Sequence, residues 1–211
     1  MKSKIIVLMV ALALCASFAF ADVDDAETNV GQSDKYDEGT EADSYVVEGG
    51  NVTEINLSGS ATTESWQGFF GNTTANLRLG MGTDVLYDFG ETDTTAVYAT
   101  TNDAFNFSAL EEGAAADVDS AWGLSGDDAA TNVFNESVDH DGLSGTDAAT
   151  MEDGNFQAYI ADDGGSGKEN FAFGAIVDND GADGFNGKTY NYEMMVPTED
   201  SSEEYYFFMS I

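Results

Sequence analysis

The sequence predicts an all-β, β-sandwich-like fold of about ten short strands. Short apolar runs recur from Ser44 onward, and Gly, Asn, Asp and Ser separate them. The chain has 23 glycines but one proline, Pro197, so glycine provides most of the turn signals. Several runs alternate apolar and polar side chains, as half-buried strands do. Many short strands with turns between them favour a sandwich or paired sheets.

The strand candidates differ in pattern. Thr53–Leu57 and Phe156–Ile160 alternate in polarity, and Thr189–Val196 is predicted as one strand with its large apolar side chains on one face. Phe171–Val177 and Tyr205–Ile211 are nearly continuous apolar runs, which is typical of strands covered on both faces. The other candidates are Tyr45–Val47, Trp66–Phe70, Ala75–Leu79, Val85–Phe89 and Thr95–Thr100.

Residues 114–133 fit the strand pattern least well. Ala114–Ala116 and Ala129–Ala130 have a helical composition, but Asp and Gly interrupt the region. The sequence therefore allows one short helix here.

The first 21 residues have the pattern of a secretory signal peptide. Two lysines precede the apolar stretch Ile5–Leu14, and Ala19–Ala21 forms an A-x-A cleavage site. We expect a secreted chain with no membrane span after cleavage. An uncleaved anchor is the alternative, but the apolar run is barely long enough to cross a bilayer. A lipoprotein is disfavoured because Leu14, which is not a small residue, precedes Cys15.

The charge balance is extreme. The chain has 40 Asp and Glu against six Lys and Arg, a net charge of -34, although 42% of its residues are hydrophobic and 12% aromatic, as in folded proteins. Cleavage removes Lys2 and Lys4 but no acidic residue. The remaining basic residues are not clustered, which argues against nucleic acid and anionic lipid as partners. Cations are the natural counterions.

A folded core under an acidic coat predicts a halophilic protein of the cell exterior. At about 1 M salt the Debye length is only ~3 Å, so repulsion between neighbouring carboxylates is screened. The alternative is an ordinary environment in which bound cations have the same effect.

Three segments are expected: a signal peptide at 1–21, an acidic flexible leader at 22–43 and a β-rich surface domain at 44–211. The leader is polar, with Tyr36 as its one aromatic residue. Cleavage also removes Cys15, the only cysteine. The mature chain therefore has no disulfide, and its core must stabilise it alone.

Residues suited to catalysis are scarce, and we predict that the protein is not an enzyme. Its one histidine, His140, lies between Asp139 and Asp141, and no G-x-S-x-G motif accompanies it. Carboxylate pairs carry little information among 40 acidic residues.

The segment Asp178–Gly184 is the best metal candidate. Asp178, Asp180 and Asp183 offer closely spaced carboxylates with glycines between them, a pattern that suits Ca²⁺. The match is partial, because Thr189 stands where an EF-hand loop needs Glu. The alternative is a polar turn between two strands.

Five N-x-[ST] sequons predict N-glycosylation of an exterior protein. Asn106 lies between Phe105 and Phe107, so its amide points to solvent if the two rings are buried. The same alternation applies to Asn56. The sequon residues are Asn51, Asn56, Asn72, Asn106 and Asn135.

Four blocks carry a family resemblance: Ser65–Asn72, Asp127–Phe134, Tyr190–Pro197 and Tyr205–Phe208. With its W-x-G-F-x-G-N block and terminal aromatic strand, the chain resembles a family of secreted archaeal surface proteins over nearly all of residues 44–211. That family has no assigned activity. The resemblance therefore implies location and architecture and carries no site.

We expect a self-associating subunit of an archaeal surface layer or filament, with Ca²⁺ or high salt bridging acidic faces. The terminal run Tyr205–Ile211 is either a core strand or a strand donated to a neighbouring copy. The alternative function is a monomeric extracellular module that binds glycans or other ligands through Trp66 or Trp122. Aromatic residues in strands are more often core residues, which weighs against that alternative.

Overall fold

The structure, a computed structural model, describes residues 23–36, 46, 48–49, 51–52, 54, 61–151, 154–199 and 202–211. The predicted signal peptide lies outside the described residues. So do the strand candidates Tyr45–Val47 and Thr53–Leu57, apart from Val46 and Glu54. Most of the regular structure is β-strand, and the all-β, sandwich-like prediction is confirmed.

The strands run along the whole described chain. Their bounds are β1 Val23–Asp25, β2 Trp66–Gly71, β3 Ala75–Met81, β4 Asp84–Thr92, β5 Ala96–Thr100, β6 Glu111–Glu112, β7 Glu136–His140, β8 Leu143–Met151, β9 Phe156–Asp162, β10 Phe171–Ile176, β11 Ala182–Asp183, β12 Thr189–Tyr190, β13 Tyr192–Pro197 and β14 Tyr206–Ser210. The helices are α1 Ala115–Trp122 and α2 Ala130–Val133, and short 3₁₀ turns lie at Phe107–Ala109, Gly126–Asp128, Lys168–Asn170 and Phe185–Gly187.

The main sheet has the strand order β1-β14-β5-β10-β9-β8-β7, and β6 pairs with part of β9. All of these pairs are antiparallel. Three two-stranded sheets accompany it: β2 with β13, β11 with β12, and β3 with β4. The first and last described strands are therefore neighbours at one edge of the main sheet.

The central strands are buried on both faces, which explains their apolar sequences. On the front face, Val97 and Phe173 pack with α1, α2 and the β2–β13 sheet. On the back face, Tyr98 and Tyr159 pack with Phe105 and the Leu143 side chain. The β2–β13 pair over the front face makes the arrangement sandwich-like.

The predicted helical region forms two helices instead of one. Acidic side chains bind free backbone N–H groups at both N-termini: Asp147 Oδ2 accepts from Ala115 N at 2.8 Å, and Asp119 accepts from Ala130 N. Gly123 ends α1 in the left-handed conformation, with φ of 70°. Two of the residues that interrupt the alanine runs thus bound the helices: Asp119 binds the start of α2, and Gly123 ends α1. No helix among the described residues is long and apolar enough to cross a bilayer.

The predicted strand Thr189–Val196 is broken at Asn191. The Asn191 N–H donates to Gly71 O at 2.9 Å, and its side-chain amide donates to Asp178 O at 2.7 Å. These bonds turn the chain between β12 and β13. The alternating pattern that predicted one strand over Thr189–Val196 therefore covers two strands, β12 and β13.

Candidate functional site: an exposed hairpin and a short edge strand

The strands β3 and β4 form a hairpin that pairs with no other strand in the described chain. Leu79 lies opposite Tyr87, and two bulges interrupt the register, after Leu77 and after Leu79. Alternation places Leu77, Leu79 and Met81 on one face. The Tyr87 ring contacts the Phe89 ring edge-on, with centroids 4.8 Å apart.

Large apolar side chains on this hairpin face solvent. Seven of them are between 51% and 86% exposed: Leu77, Leu79, Met81, Val85, Leu86, Tyr87 and Phe89. They are divided between the two faces of the hairpin, because Val85 lies opposite Gly80 and Tyr87 lies opposite Leu79. A two-stranded hairpin is marginally stable by itself, so this one is a candidate for packing against another surface.

One ion pair links the two strands of the hairpin. Arg78, the one arginine of the sequence, lies opposite Asp88, and its Nε is 3.0 Å from Asp88 Oδ2. The Gly90 N–H and the Arg78 guanidinium together lower the pKa of Asp88. This ion pair lies on the face opposite to Leu79 and Tyr87.

The C-terminal strand β14 is hydrogen-bonded along both edges within one chain. Its inner edge pairs with β5 from Tyr206 to Ser210, and its outer edge pairs with β1. Phe208 is buried, and Phe207 packs edge-on against Phe69 with centroids 5.1 Å apart. Within one chain β14 is therefore a core strand, which is one of the two alternatives that the sequence left open for Tyr205–Ile211.

The outer edge of β14 is covered by part of the segment predicted as a flexible leader. Val23 lies opposite Ser210 and packs, partly buried, against the back-face core. The Ala26 N–H donates to Phe207 O at 2.9 Å, after which the chain is extended and exposed to Tyr36. We call residues 23–36 the N-terminal arm.

The three predicted metal ligands do not converge. Asp178 Oδ1 accepts from Asp180 N at 3.0 Å, as in a tight polar turn, while Asp183 lies in β11 opposite Thr189. Within the described residues no three His, Cys, Asp or Glu side chains are grouped so as to hold a metal ion. Asp178 and Asp180 do line a surface pocket with Asp93. The Ca²⁺ assignment stays a prediction.

His140 lies beside a buried hydrogen-bond chain. Tyr159 donates to the Tyr98 oxygen at 2.9 Å, and Tyr98 donates to Asp141 Oδ2 at 2.6 Å. His140 Nε2 is 3.5 Å from Asp141 Oδ1 and 3.2 Å from Thr95 O. These bonds hold the β7–β8 turn against the sheet, which is a structural role for the histidine.

The sequence analysis missed this turn, although the signal was present. Asp141-Gly142 joins β7 to β8 as a two-residue loop, and both residues have positive φ, 48° and 84°. An Asp-Gly pair is a strong signal for such a hairpin. No comparable signal marks the exposure of β3 and β4, because their alternation resembles that of a core hairpin.

The described sequon residues are exposed, as glycosylation requires. Phe105 is buried and Asn106 exposed, as their alternation predicted. Asn51, Asn72 and Asn135 are exposed as well. Asn56 lies outside the described residues.

The two tryptophans proposed as ligand platforms are engaged in the core. Trp122 is buried, contacts Phe171 and Phe173, and donates from Nε1 to Glu203 Oε2 at 3.0 Å. Trp66 is partly buried and donates to Asp128 O at 2.9 Å. The Trp122 ring is therefore not free to stack on a sugar, whereas Trp66 keeps part of its surface exposed.

Comparison with known proteins gave no match: no family model fits the chain, and no curated protein or solved structure is significantly similar to it. The resemblance to archaeal surface proteins therefore stays a prediction.

Proposed function

We propose that this protein is a secreted structural subunit of an archaeal cell surface that self-associates into a layer or filament. The observation that carries the proposal is the β3–β4 hairpin, which exposes seven large apolar side chains on a strongly acidic protein. Clusters of exposed apolar side chains mark interaction sites.

A second copy of the chain is the partner that best fits this hairpin. Leu79, Met81 and Tyr87 are exposed on one face and can pack against the same face of a second hairpin. Its outer strand edges are unpaired in the described chain, so two hairpins can align edge to edge across a two-fold axis.

Charge supports the same partner. Two copies repel because each has a net charge of -34. The Arg78–Asp88 pair lies on the opposite face, so neither of these charges is buried when the face around Leu79 and Tyr87 meets a second copy. High salt weakens the repulsion and strengthens the apolar contact, so both effects favour assembly in brine.

Cations and glycans also have roles in the proposed assembly. Counterions, Ca²⁺ among them, bridge acidic faces between copies. N-linked glycans at the exposed sequons cover the surface that faces outward.

The test is assembly of the purified secreted chain, measured by sedimentation velocity and electron microscopy across a range of NaCl concentrations. A Leu79→Ser, Tyr87→Ser variant should assemble at least tenfold less at equal concentration while keeping its circular dichroism spectrum, because both side chains are exposed in the single copy. Val46→Ser, Val52→Ser is the matched control, since both residues are also exposed but lie outside the hairpin and residues 23–36. Unchanged assembly of the hairpin variant would overturn this role.

A further inference from the structure

The two edges of β14 pair with neighbouring strands over different lengths. The inner edge pairs over five residues with β5, which is buried throughout. The outer edge pairs with the three residues of β1. An edge strand this short is among the elements that open most readily.

The segment that carries β1 lies mostly at the surface. Val23 packs on the back-face core, and Asp25 is exposed to solvent. Residues 27–36 are exposed and have no regular secondary structure, and Tyr36 and Lys35 make surface contacts. Thr62 Oγ1 donates to Tyr36 O at 3.1 Å, and Lys35 Nζ is 3.4 Å from Glu64 Oε1.

The arm is long enough to reach a neighbouring molecule. Its stretch from Ala26 to Tyr36 can span roughly 35 Å when extended, about the diameter of a small domain. It can do so without breaking the contacts of Tyr36 and Lys35.

Release of β1 would leave an unpaired apolar edge. Tyr206–Ser210 would then present free backbone groups beside Phe207, Phe208 and Met209, and such an edge pairs readily with another strand. The β1 strand of an identical copy fits this edge with the same register and the same contacts.

We propose that β1 is exchanged between copies, so that Val23–Asp25 of one copy pairs with β14 of the next. The proposal rests on the self-association argued above and names the strand that links the copies. The sequence offered Tyr205–Ile211 as the donated strand, but β14 lies between two strands of its own sheet and acts here as the acceptor.

This exchange generates an open chain of copies. Each copy donates one β1 and accepts one at β14, which is a heterologous contact that continues unless two copies exchange reciprocally. The hairpin and the exchanged strand lie on different elements, so the two contacts do not compete for the same residues.

The test is disulfide trapping in a Cys15→Ser background, in which no native cysteine competes. Because Ala26 N donates to Phe207 O, Val23 and Ser210 form a non-hydrogen-bonded pair, whose Cα atoms are about 4.5 Å apart. That separation suits a disulfide. One sample of the Val23→Cys, Ser210→Cys variant is oxidised in dilute solution, and a second is oxidised after assembly in high salt. Both samples are then run on non-reducing gels. Sedimentation before oxidation records whether copies associate.

Exchange predicts an internally bridged monomer in the dilute sample and a ladder of linked dimers and higher species in the assembled one. The matched control is Thr150→Cys, Gln157→Cys across β8 and β9, which should stay internally bridged in both samples. If the copies associate but every Val23–Ser210 disulfide lies within one chain, the exchange is wrong and the proposal of self-association is unaffected. Absence of association at any salt concentration would overturn both.

Discussion

The Tyr98 phenol donates a 2.6 Å hydrogen bond to Asp141 Oδ2 and thereby ties the β7–β8 turn to the centre of the main sheet. Tyr159 donates to Tyr98 in turn, so two buried phenols lead to one carboxylate. Asp141 has a positive φ of 48°, and its hydrogen bond accompanies that unusual backbone conformation. The chain links β5, β9 and the turn in one polar network.

Removal of the Tyr98 hydroxyl should destabilise the protein. Tyr98→Phe leaves the Asp141 carboxylate without this donor, and we expect the free energy of unfolding to fall by about 1.5–3 kcal/mol. Urea denaturation measures the change. Tyr87→Phe, on the exposed hairpin, is the control and should have no measurable effect.

Asp141 should tolerate asparagine better than alanine. An Asn side chain can still accept the Tyr98 hydrogen bond and readily adopts positive φ, whereas Ala does neither. Asp141→Ala should lower the unfolding midpoint further than Asp141→Asn in the same denaturation assay. Equal losses would show that backbone conformation and hydrogen bonding at this turn contribute little.

Stability should fall at alkaline pH. Burial raises the pKa of Tyr98 and of Tyr159, so both phenols stay protonated in the folded chain when they would ionise near pH 10 in the unfolded chain. Their contribution to the free energy of unfolding is complete below pH 10. Above pH 10 that free energy falls by up to ~1.4 kcal/mol per pH unit for each tyrosine. Denaturation at pH 9–11.5 tests this, and Tyr159→Phe should reduce the slope. A slope unchanged by this substitution would contradict the assignment.

Gly174 should not accept a larger residue. A Cβ at this position would overlap the ring of Tyr159, its partner across β9 and β10. We expect Gly174→Ala to lower the free energy of unfolding by about 1–3 kcal/mol through overpacking. Gly68→Ala in β2 is the control, because its Cβ would meet only Met194 O at 4.0 Å. Thermal melts of both variants give the comparison.

Calcium should stabilise the chain beyond the effect of ionic strength if the Asp178–Asp183 prediction is right. Millimolar CaCl₂ should then raise the melting temperature more than NaCl of equal ionic strength. Asp180→Asn should remove the excess, and Asp84→Asn on the hairpin should retain it. Equal effects of the two salts would leave the loop as the polar turn that its internal hydrogen bond describes.

Glycosylation can be tested directly on the native secreted protein. Peptide mass spectrometry should find glycan mass on peptides with Asn72, Asn106 and Asn135, whose side chains are exposed. Ser108→Ala removes the sequon of Asn106 and should remove that mass alone. Unmodified peptides at all three sites would reject the glycan part of the proposal.

Sequence patterns predicted most strands where local periodicity was strong. Phe171–Val177 and Phe156–Ile160 appear as β10 and β9 because their apolar character reflects burial that any sheet must supply. The boundary that was missed depends on contacts with other parts of the chain. Asn191 breaks one predicted strand through hydrogen bonds to Gly71 and Asp178, which are distant in sequence.

The sequence by itself determined the acidic surface and the all-β class, because charge and the alternation of strand residues are local properties of the chain. Tertiary structure alone decided that Leu79 and Tyr87 face solvent, while Trp122 and Tyr98 are buried. It alone placed Val23 beside Ser210. Burial depends on which surfaces meet, and strand neighbours depend on contacts between residues far apart in the chain, neither of which local periodicity encodes.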